Sequence, residues 1–332
     1  MPTPVIIDTD PGIDDAIALT LAAASPELTL LGVTTVGGNT GLETTTSNAL
    51  RILHLLGRDD VPVAAGAARA LVHDQPLADT AIHGPGGLGG VELALPGRQA
   101  DPRGALALMV ELIESSPEPV TLLAIGPLTN VALLAAARPD VYARLERLVI
   151  MGGGVHLTGN RSPAAEFNIW FDPEAAARVF AAGVPVTMVG LDVTQKALFA
   201  PSDWDRLRGP GAGPVAQAVT GMIDFYGSFY RSFLGTDATA QHDALAVTAL
   251  VKPELVTTEH VWVGVETSGT YTRGMTVADL RGVWKRQPNT HVALDVDAPG
   301  YIDFLVSRIA VFDCRGLRGG AARAGLGQSS TE

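Results

Sequence analysis

The stretch Val5-Ile6-Ile7-Asp8-Thr9-Asp10-Pro11-Gly12-Ile13-Asp14-Asp15 sets a short apolar run directly before four carboxylates in eight residues. Val5 to Asp8 reads as a buried strand, because the run is continuous and β-branched rather than alternating. Pro11 and Gly12 make a turn. Asp14 and Asp15 then open a helix running from Ile13 to Ala24, where acidic side chains complement the dipole. If the strand continues through Asp8 and Asp10, those two side chains share a face.

The same unit recurs outward from this stretch. Leu28 to Val36 reads as a second strand, followed by a helix over Leu42 to Leu56. Val61 to Ala65, Val120 to Ile125, Leu148 to Met151 and Val186 to Leu191 read as further strands, with helical patterns at Leu106 to Glu114, Leu128 to Ala137 and Pro173 to Ala182. Apolar strands joined by helices define an α/β fold: one open, mainly parallel sheet with helices on both faces and a Rossmann-like core. No linker or fixed-period repeat divides the chain, so residues 1–313 are expected to form one domain. Ala67 to Pro102 leaves the rhythm as a long Gly- and Pro-rich stretch containing His83, a length that in a compact domain marks function or mobility. Residues 314–332 are small and polar and are expected to form a disordered tail.

In an open parallel sheet, ligands gather beyond the carboxyl ends of the strands. Asp10, Asn39, Gly126, Gly152 to Gly154 with Asn160, and Asp192 each follow a different strand in this reading. They are expected to converge on one rim.

Composition narrows the class. The 332 residues are 47% apolar and 17% charged, which fits a folded chain with a sizeable core. A net charge of -12 and the absence of a dense run among 23 Lys and Arg argue against a nucleic-acid partner. The single cysteine, Cys314, excludes an intrachain disulfide framework and a thiolate metal cage. The N-terminus carries no basic leader or apolar signal stretch, and no segment approaches the roughly 18 apolar residues that span a membrane. A cytoplasmic protein without membrane partners is expected.

The carboxylates need an explanation that helix capping alone does not provide. Two like charges about 4 Å apart repel by roughly 4 kcal/mol at an effective dielectric near 20. Several converging carboxylates therefore require a cation, shared protons or full hydration. Oxygen donors without a nearby cysteine favour a hard metal such as Ca²⁺ or Mg²⁺. Asp8-Thr9-Asp10 also resembles the opening motif of haloacid-dehalogenase-type phosphatases, in which the first Asp is a nucleophile and Mg²⁺ binds both. Those enzymes usually have Gly-Thr after the second Asp, where this chain has Pro11-Gly12, and no downstream lysine motif matches.

Asp8 to Ala16, DTDPGIDDA, resembles the N-terminal signature of the nucleoside hydrolase family, in particular its inosine–uridine-preferring members. The resemblance extends from about Val5 to Val311 through Thr34 to Asn39, Ile125 to Asn130, Met151 to Gly154, Asn160, Glu166 to Asn168 and His242-Asp243. It implies hydrolysis of ribonucleosides to ribose and free base, in purine and pyrimidine salvage, with Ca²⁺ held by Asp10, Asp15, Asp243 and the backbone carbonyl of Ile125. It implies that Asp10 takes a proton from a Ca²⁺-bound water and that His242 assists the departing base. Asp14 and Asn168 would hold the 2′- and 3′-hydroxyls, with Asn39 ordering them. Asn160 and Glu166 would meet the 5′-hydroxyl, Met151 and Phe167 would wall the sugar, and His83, Tyr226 and Tyr230 would lie near the base. Purine-specific members tend to carry Trp before the last metal-binding Asp, where this chain has His242. Assembly as a homodimer or homotetramer is implied by the family alone.

Each of these residues also has a plainer reading. Asp243 reads equally as the N-cap of a helix over 244–251, and Asn39 and Asn160 as turn residues. Tyr226 and Tyr230 have the four-residue spacing of a packed helix face. Glu166 reads as solvated, and His83 as exposed in its Gly-rich loop. Asp8 is assigned only a supporting role, and Asp192-Val193-Thr194 none. A Mg²⁺-dependent phosphatase and a non-catalytic nucleoside-binding protein are the competing functions.

Overall fold

The computed structural model describes residues 1–78, 80–157 and 159–325. The decisive stretch forms β1 (Thr3–Thr9), the Pro11-Gly12 turn and α1 (Ile13–Ala23). The Asp15 carboxylate accepts the Gly12 N–H at 2.9 Å and thereby satisfies a donor at the start of α1. Both faces of α1 are apolar, and the helix is buried almost all round.

The chain continues through β2 (Leu28–Thr35), α2 (Leu42–Leu55), β3 (Val63–Ala65), α3 (Thr80–His83), α4 (Ala105–Ser115), β4 (Thr121–Ala124), α5 (Thr129–Ala137) and α6 (Pro139–Tyr142). Next come β5 (Arg147–Met151), α7 (Phe167–Phe171), α8 (Pro173–Phe180), β6 (Val186–Val189) and α9 (Leu191–Thr194). The last third holds β7 (Leu198–Phe199), α10 (Pro214–Phe229), β8 (Thr239–Ala240), α11 (His242–Val251), β9 (Val256–Val261), β10 (Val263–Val265), β11 (Thr276–Ala278), β12 (Thr290–Val296) and α12 (Ala298–Gly325).

Eight strands form the main sheet in the order β3-β2-β1-β4-β5-β6-β12-β9, and all pairings are parallel except β9 against β12. Side chains alternate between two cores. Val5 and Ile7 of β1 face the layer containing α1, α10 and α12, whereas Ile6 faces the layer containing α5 and α8. Leu123 and Leu122 of β4 divide in the same way. Burial on both faces is why these strands read as unbroken apolar runs.

The chain runs outward from β1 to β2 and β3, then crosses back to place β4 on the other side of β1. The carboxyl ends of β1 and β4 therefore flank the point where strand order reverses, which opens a crevice. Asp10 and Ile125 leave the sheet there, and the Ile125 N–H bonds to the Asp8 carbonyl at 2.8 Å.

α12 keeps a helical backbone from Cys314 on to Gly325, where a disordered tail was expected; residues 326–332 lie outside the described residues. Among the described residues, no helix is long and apolar enough to cross a membrane. α12 also supplies a cap to another helix. Its buried Asp313 accepts the N–H groups of Gly213 (2.6 Å), Val215 (3.1 Å) and Ala216 (3.4 Å) at the start of α10, whose own N-cap is a glycine. Replacing Asp313 by Ala leaves buried donors unpaired and is expected to cost about 2 kcal/mol. Urea unfolding would show this as a lower midpoint with an unchanged slope; an unchanged midpoint would contradict the capping role.

Candidate active site

Asp10 sits just past β1 and is 1% exposed. Its Oδ2 accepts the Asn39 N–H at 2.7 Å, while its Oδ1 is buried without a hydrogen-bond partner. Two glycines make room for this carboxylate: a Cβ at Gly38 would stand 2.2 Å from Oδ2, and one at Gly126 would stand 2.6 Å from Oδ1.

Asp15, in the first turn of α1, is engaged on both oxygens. Oδ1 accepts from the Thr9 hydroxyl and the Asp10 N–H, and Oδ2 from the Gly12 N–H and Asn39 Nδ2. Asp243 lies in the first turn of α11, whose N-cap is Gln241, so Asp243 is not the N-cap that its sequence context allows. Asp14, Asp15 and Asp243 bring carboxylate oxygens within 4.8 Å of one another. Asp10 falls outside that group of three.

These groups share one electrostatic condition. Burial, and then the charge of Asp15, raise both Asp10 and Asp14 above the ordinary carboxylate range, Asp14 to about 8. Burial and the charges of Asp14, Asp15 and Asp10 do the same to Asp243. Among the described residues, no Lys or Arg forms an ion pair with any of the four. The His83 Nδ1 approaches Asp14 Oδ1 to 4.0 Å, but this contact is not an ion pair. Burial holds the His83 pKa down at about 3, and Nδ1 already accepts the Ile13 N–H at 3.1 Å. His83 is therefore neutral with its proton on Nε2.

A cavity of about 500 Å³ opens over the carboxylates. Its lining includes Asp14, Asn39, His83, Ile125, Met151, Asn160, Glu166, Phe167, Asn168, Tyr226, Tyr230, His242 and Asp243, whereas Asp10 and Asp15 lie beneath it. Glu166 is buried rather than solvated. It caps α7 by accepting the Asn168 and Ile169 N–H groups, and it accepts the Gly153 N–H at 2.9 Å. Asn168 gives its Nδ2 to the carbonyls of Ile125 (3.0 Å) and Met151 (3.1 Å), which leaves Oδ1 as the acceptor on the wall. Asn160 is exposed at the rim and accepts the Phe167 N–H at 3.0 Å.

At the other end of the cavity, His83 is buried rather than exposed. It stacks on Tyr226 at 5.8 Å, and Tyr226 meets Tyr230 edge-on at 5.0 Å. A π-helical turn, Tyr230–Leu234, follows α10 and ends at Gly235. His242 lies between Thr194 and Tyr230: Nδ1 is 2.7 Å from the Thr194 hydroxyl and Nε2 is 3.4 Å from the Tyr230 hydroxyl. Burial lowers the His242 pKa to about 4.

Asp8 does not reach the cavity. Its Oδ1 accepts from the Thr34 hydroxyl and from Asn130 Nδ2 (2.8 Å), tying β1 to β2 and α5, and burial raises its pKa to about 7. A buried carboxylate so placed offers no nucleophile to a phosphate ester. The lining also includes Arg161, Gln195, Phe229 and Leu234, which no sequence signal identified.

The family described as inosine-uridine preferring nucleoside hydrolase matches residues 5–303. The chain is 47% identical over 316 residues to the pyrimidine-specific ribonucleoside hydrolase RihA of Enterobacter sp. (strain 638), covering 95% of this chain and 100% of that one. Against the RihA of Escherichia coli O7:K1 the identity is 45%, covering 94% and 100%. Among solved structures, the purine-preferring ribonucleoside hydrolase from Gardnerella vaginalis is similar at a TM-score of 0.89 and 32% identity, covering 94% of this chain and 100% of that one. A plant nucleoside hydrolase, PpNRh1, reaches 0.88 at 33% identity, covering 93% and 99%. The chain belongs to the inosine-uridine preferring nucleoside hydrolase family. It is a ribonucleoside hydrolase, an enzyme that cleaves an N-glycosidic bond, which sets aside the phosphatase and binding-protein readings. The family is metal-dependent, and the aspartate cluster is a fitting place for a metal here.

Glu166 gives the site a pH signature. Burial outweighs its backbone donors and raises its pKa from 4.5 to about 7. Between those values the folded chain keeps a proton that the unfolded chain releases, so stability falls as pH rises. In chelator-treated protein, the stability of the wild type relative to Glu166→Gln is expected to drop by about 3 kcal/mol from pH 4.5 to just above pH 7. Denaturation at several pH values measures this; a constant difference would show that the folded and unfolded chains hold the Glu166 proton equally, which would refute the raised pKa.

Proposed function

We propose that the cavity holds a ribonucleoside with its ribose over the carboxylates and its base between His83, Tyr226, Tyr230 and His242, and that Asp10 is the general base. The observation that carries this reading is the Asp10 Oδ1: buried, without a partner, in space cleared by Gly126, beside a cluster of carboxylates. A buried carboxylate oxygen left unpaired is costly unless something outside the chain engages it.

The donor set fits a hard cation. Asp10, Asp15 and Asp243 with the Ile125 carbonyl, and Asp14 close by, offer oxygens only, as Ca²⁺ prefers. When bound, the cation offsets the repulsion that raises these pKa values and makes the proton of nearby water easier to remove.

The remaining chemistry belongs to the side chains. The wall facing the ribose is built from acceptors: Asp14, Glu166 and the Oδ1 of Asn168. Such a wall selects a ligand rich in hydroxyl donors, and it stabilises positive charge developing on the sugar ring as the base leaves. Asp10 takes one proton from water as its oxygen bonds to the anomeric carbon. The C–N bond breaks with its electron pair going to the base. The base takes a proton delivered through Tyr230 and the Nε2 of His242, and solvent replaces it. Closely similar relatives are named pyrimidine-specific, which favours uridine and cytidine as substrates. A cytoplasmic salvage role and assembly as a homodimer or homotetramer complete the reading and rest on the family resemblance.

Wild-type protein is expected to release free ribose from uridine and cytidine. Asp10→Ala should lower kcat at least about 1,000-fold while its unfolding curve remains cooperative. Ribose release at wild-type rates from that folded variant would remove Asp10 from the base role. Chelation followed by gel filtration should abolish turnover, and Ca²⁺ should restore it better than Mg²⁺. Full activity in protein shown to be metal-free by elemental analysis would refute the cation.

A further inference from the structure

Helix α9 (Leu191–Thr194) carries two buried polar residues that the proposed chemistry leaves unused, Asp192 and Thr194. Thr194 is 1% exposed, and its hydroxyl lies 2.7 Å from His242 Nδ1. On the opposite edge of the imidazole, Nε2 faces the Tyr230 hydroxyl at 3.4 Å. A neutral imidazole carries one N–H, so a Thr194 hydroxyl that donates to Nδ1 leaves the proton on Nε2, directed at the Tyr230 oxygen.

The anchor on the Thr194 side is fixed in place. Two residues earlier, the Asp192 carboxylate accepts the N–H groups of Val155 (2.6 Å), His156 (2.7 Å) and Leu157 (3.0 Å), joining α9 to the loop that follows β5. The Thr194 N–H bonds back to the Gly190 carbonyl at 3.2 Å. Thr194 thus belongs to a turn held from two directions, and a swinging imidazole would lose its partner rather than carry it along.

We infer that Thr194 is a positioning residue: by donating its hydroxyl proton to Nδ1 it holds His242 in one tautomer and one rotamer, so that Nε2–H is the group that supplies a proton toward the departing base. The logic is that of a base oriented by a third group on its far nitrogen. The inference rests on the proposed role of His242 in leaving-group departure.

The test compares two substrates. Uridine needs its leaving base protonated; 4-nitrophenyl riboside has a leaving group that departs as an anion. Thr194→Val keeps the shape and removes the hydrogen bond, and Thr194→Ser keeps the bond. Thr194→Val is expected to lower kcat on uridine about 10- to 100-fold, with KM within about twofold and the aryl riboside rate nearly unchanged. Thr194→Ser is expected to recover most of the loss. Equal losses on both substrates, a change in KM that matches the change in kcat, or a Ser variant no better than Val would overturn the inference. Should Thr194→Val fail to fold, ¹⁵N NMR of the wild-type imidazoles decides. His242 and His83 should each show a protonated Nε2, and a protonated Nδ1 at His242 would overturn the inference. Wild-type protein inert toward both substrates would instead bring down the hydrolase mechanism on which the inference stands.

Discussion

The structure is organised around four buried carboxylates, Asp10, Asp14, Asp15 and Asp243, that meet without a basic side chain among the described residues to balance them. Three of them come from one turn and the start of α1, and the fourth from the first turn of α11. Both helices point their N-termini at the cluster, and each dipole favours an anion there. That contribution is about 0.3–1 kcal/mol per site, whereas a single pair of neighbouring charges at about 4 Å repels by roughly 4 kcal/mol. The dipoles therefore soften the problem without solving it. The directions of the pKa shifts express the same shortfall: burial raises each of the four above the ordinary carboxylate value. A cation at the carboxyl end of the sheet is the component that reconciles this geometry with ionised aspartates.

Chemically identical aspartates are separated by the donors and charges that surround each one. Asp15 receives four hydrogen bonds and ties the turn, β1 and Asn39 together. Asp8 receives two and ties neighbouring elements of the sheet. Asp10 has one oxygen held by the Asn39 N–H and the other left free. Asp8 likewise leaves its Oδ2 buried without a partner, so hydrogen bonding sets Asp15 apart from the other two. Asp10 differs from Asp8 in lying beside the charges of Asp15 and Asp14, where Asp8 is raised by burial alone. The sequence places Asp8 and Asp10 two residues apart with the same strand parity, so only the identity of their neighbours distinguishes them.

The same distinction decides how much was legible beforehand. The strands β1, β2, β4, β5 and β6 could be read because burial on both faces leaves a continuous apolar run. β9 and β12 could not: Val256-Thr257-Thr258-Glu259-His260-Val261 is exposed along its middle and forms a strand only by pairing antiparallel with β12. The family-like motifs located nearly every residue of the cavity wall, but not their environments. His83 reads as exposed because its loop is rich in glycine, yet those glycines let the loop fold tightly and turn the imidazole inward onto Tyr226. Glu166 reads as solvated because nothing local marks it as a helix cap. Thr194 carries no signal at all, since its partner lies 48 residues away.

The two ends of the cavity differ in hydrogen-bonding sense, and this polarity bears on how a ligand is oriented. The ribose end presents oxygens that accept: Asp14, Glu166 and the free Oδ1 of Asn168, whose amide nitrogen is spent on two carbonyls. The opposite end presents aromatic faces and donors. His83 has its Nδ1 taken by the Ile13 N–H, so Nε2–H is the edge it can offer, while Tyr226 packs edge-on against Tyr230, whose hydroxyl faces His242. A nucleoside has the complementary asymmetry, with hydroxyl donors on the sugar and π-faces with acceptor atoms on the base. Turning it end for end would set base acceptors against carboxylates and leave sugar hydroxyls on aromatic rings. On the reading proposed here, the cavity thus selects the orientation that brings the anomeric carbon over Asp10 before any residue takes part in bond breaking.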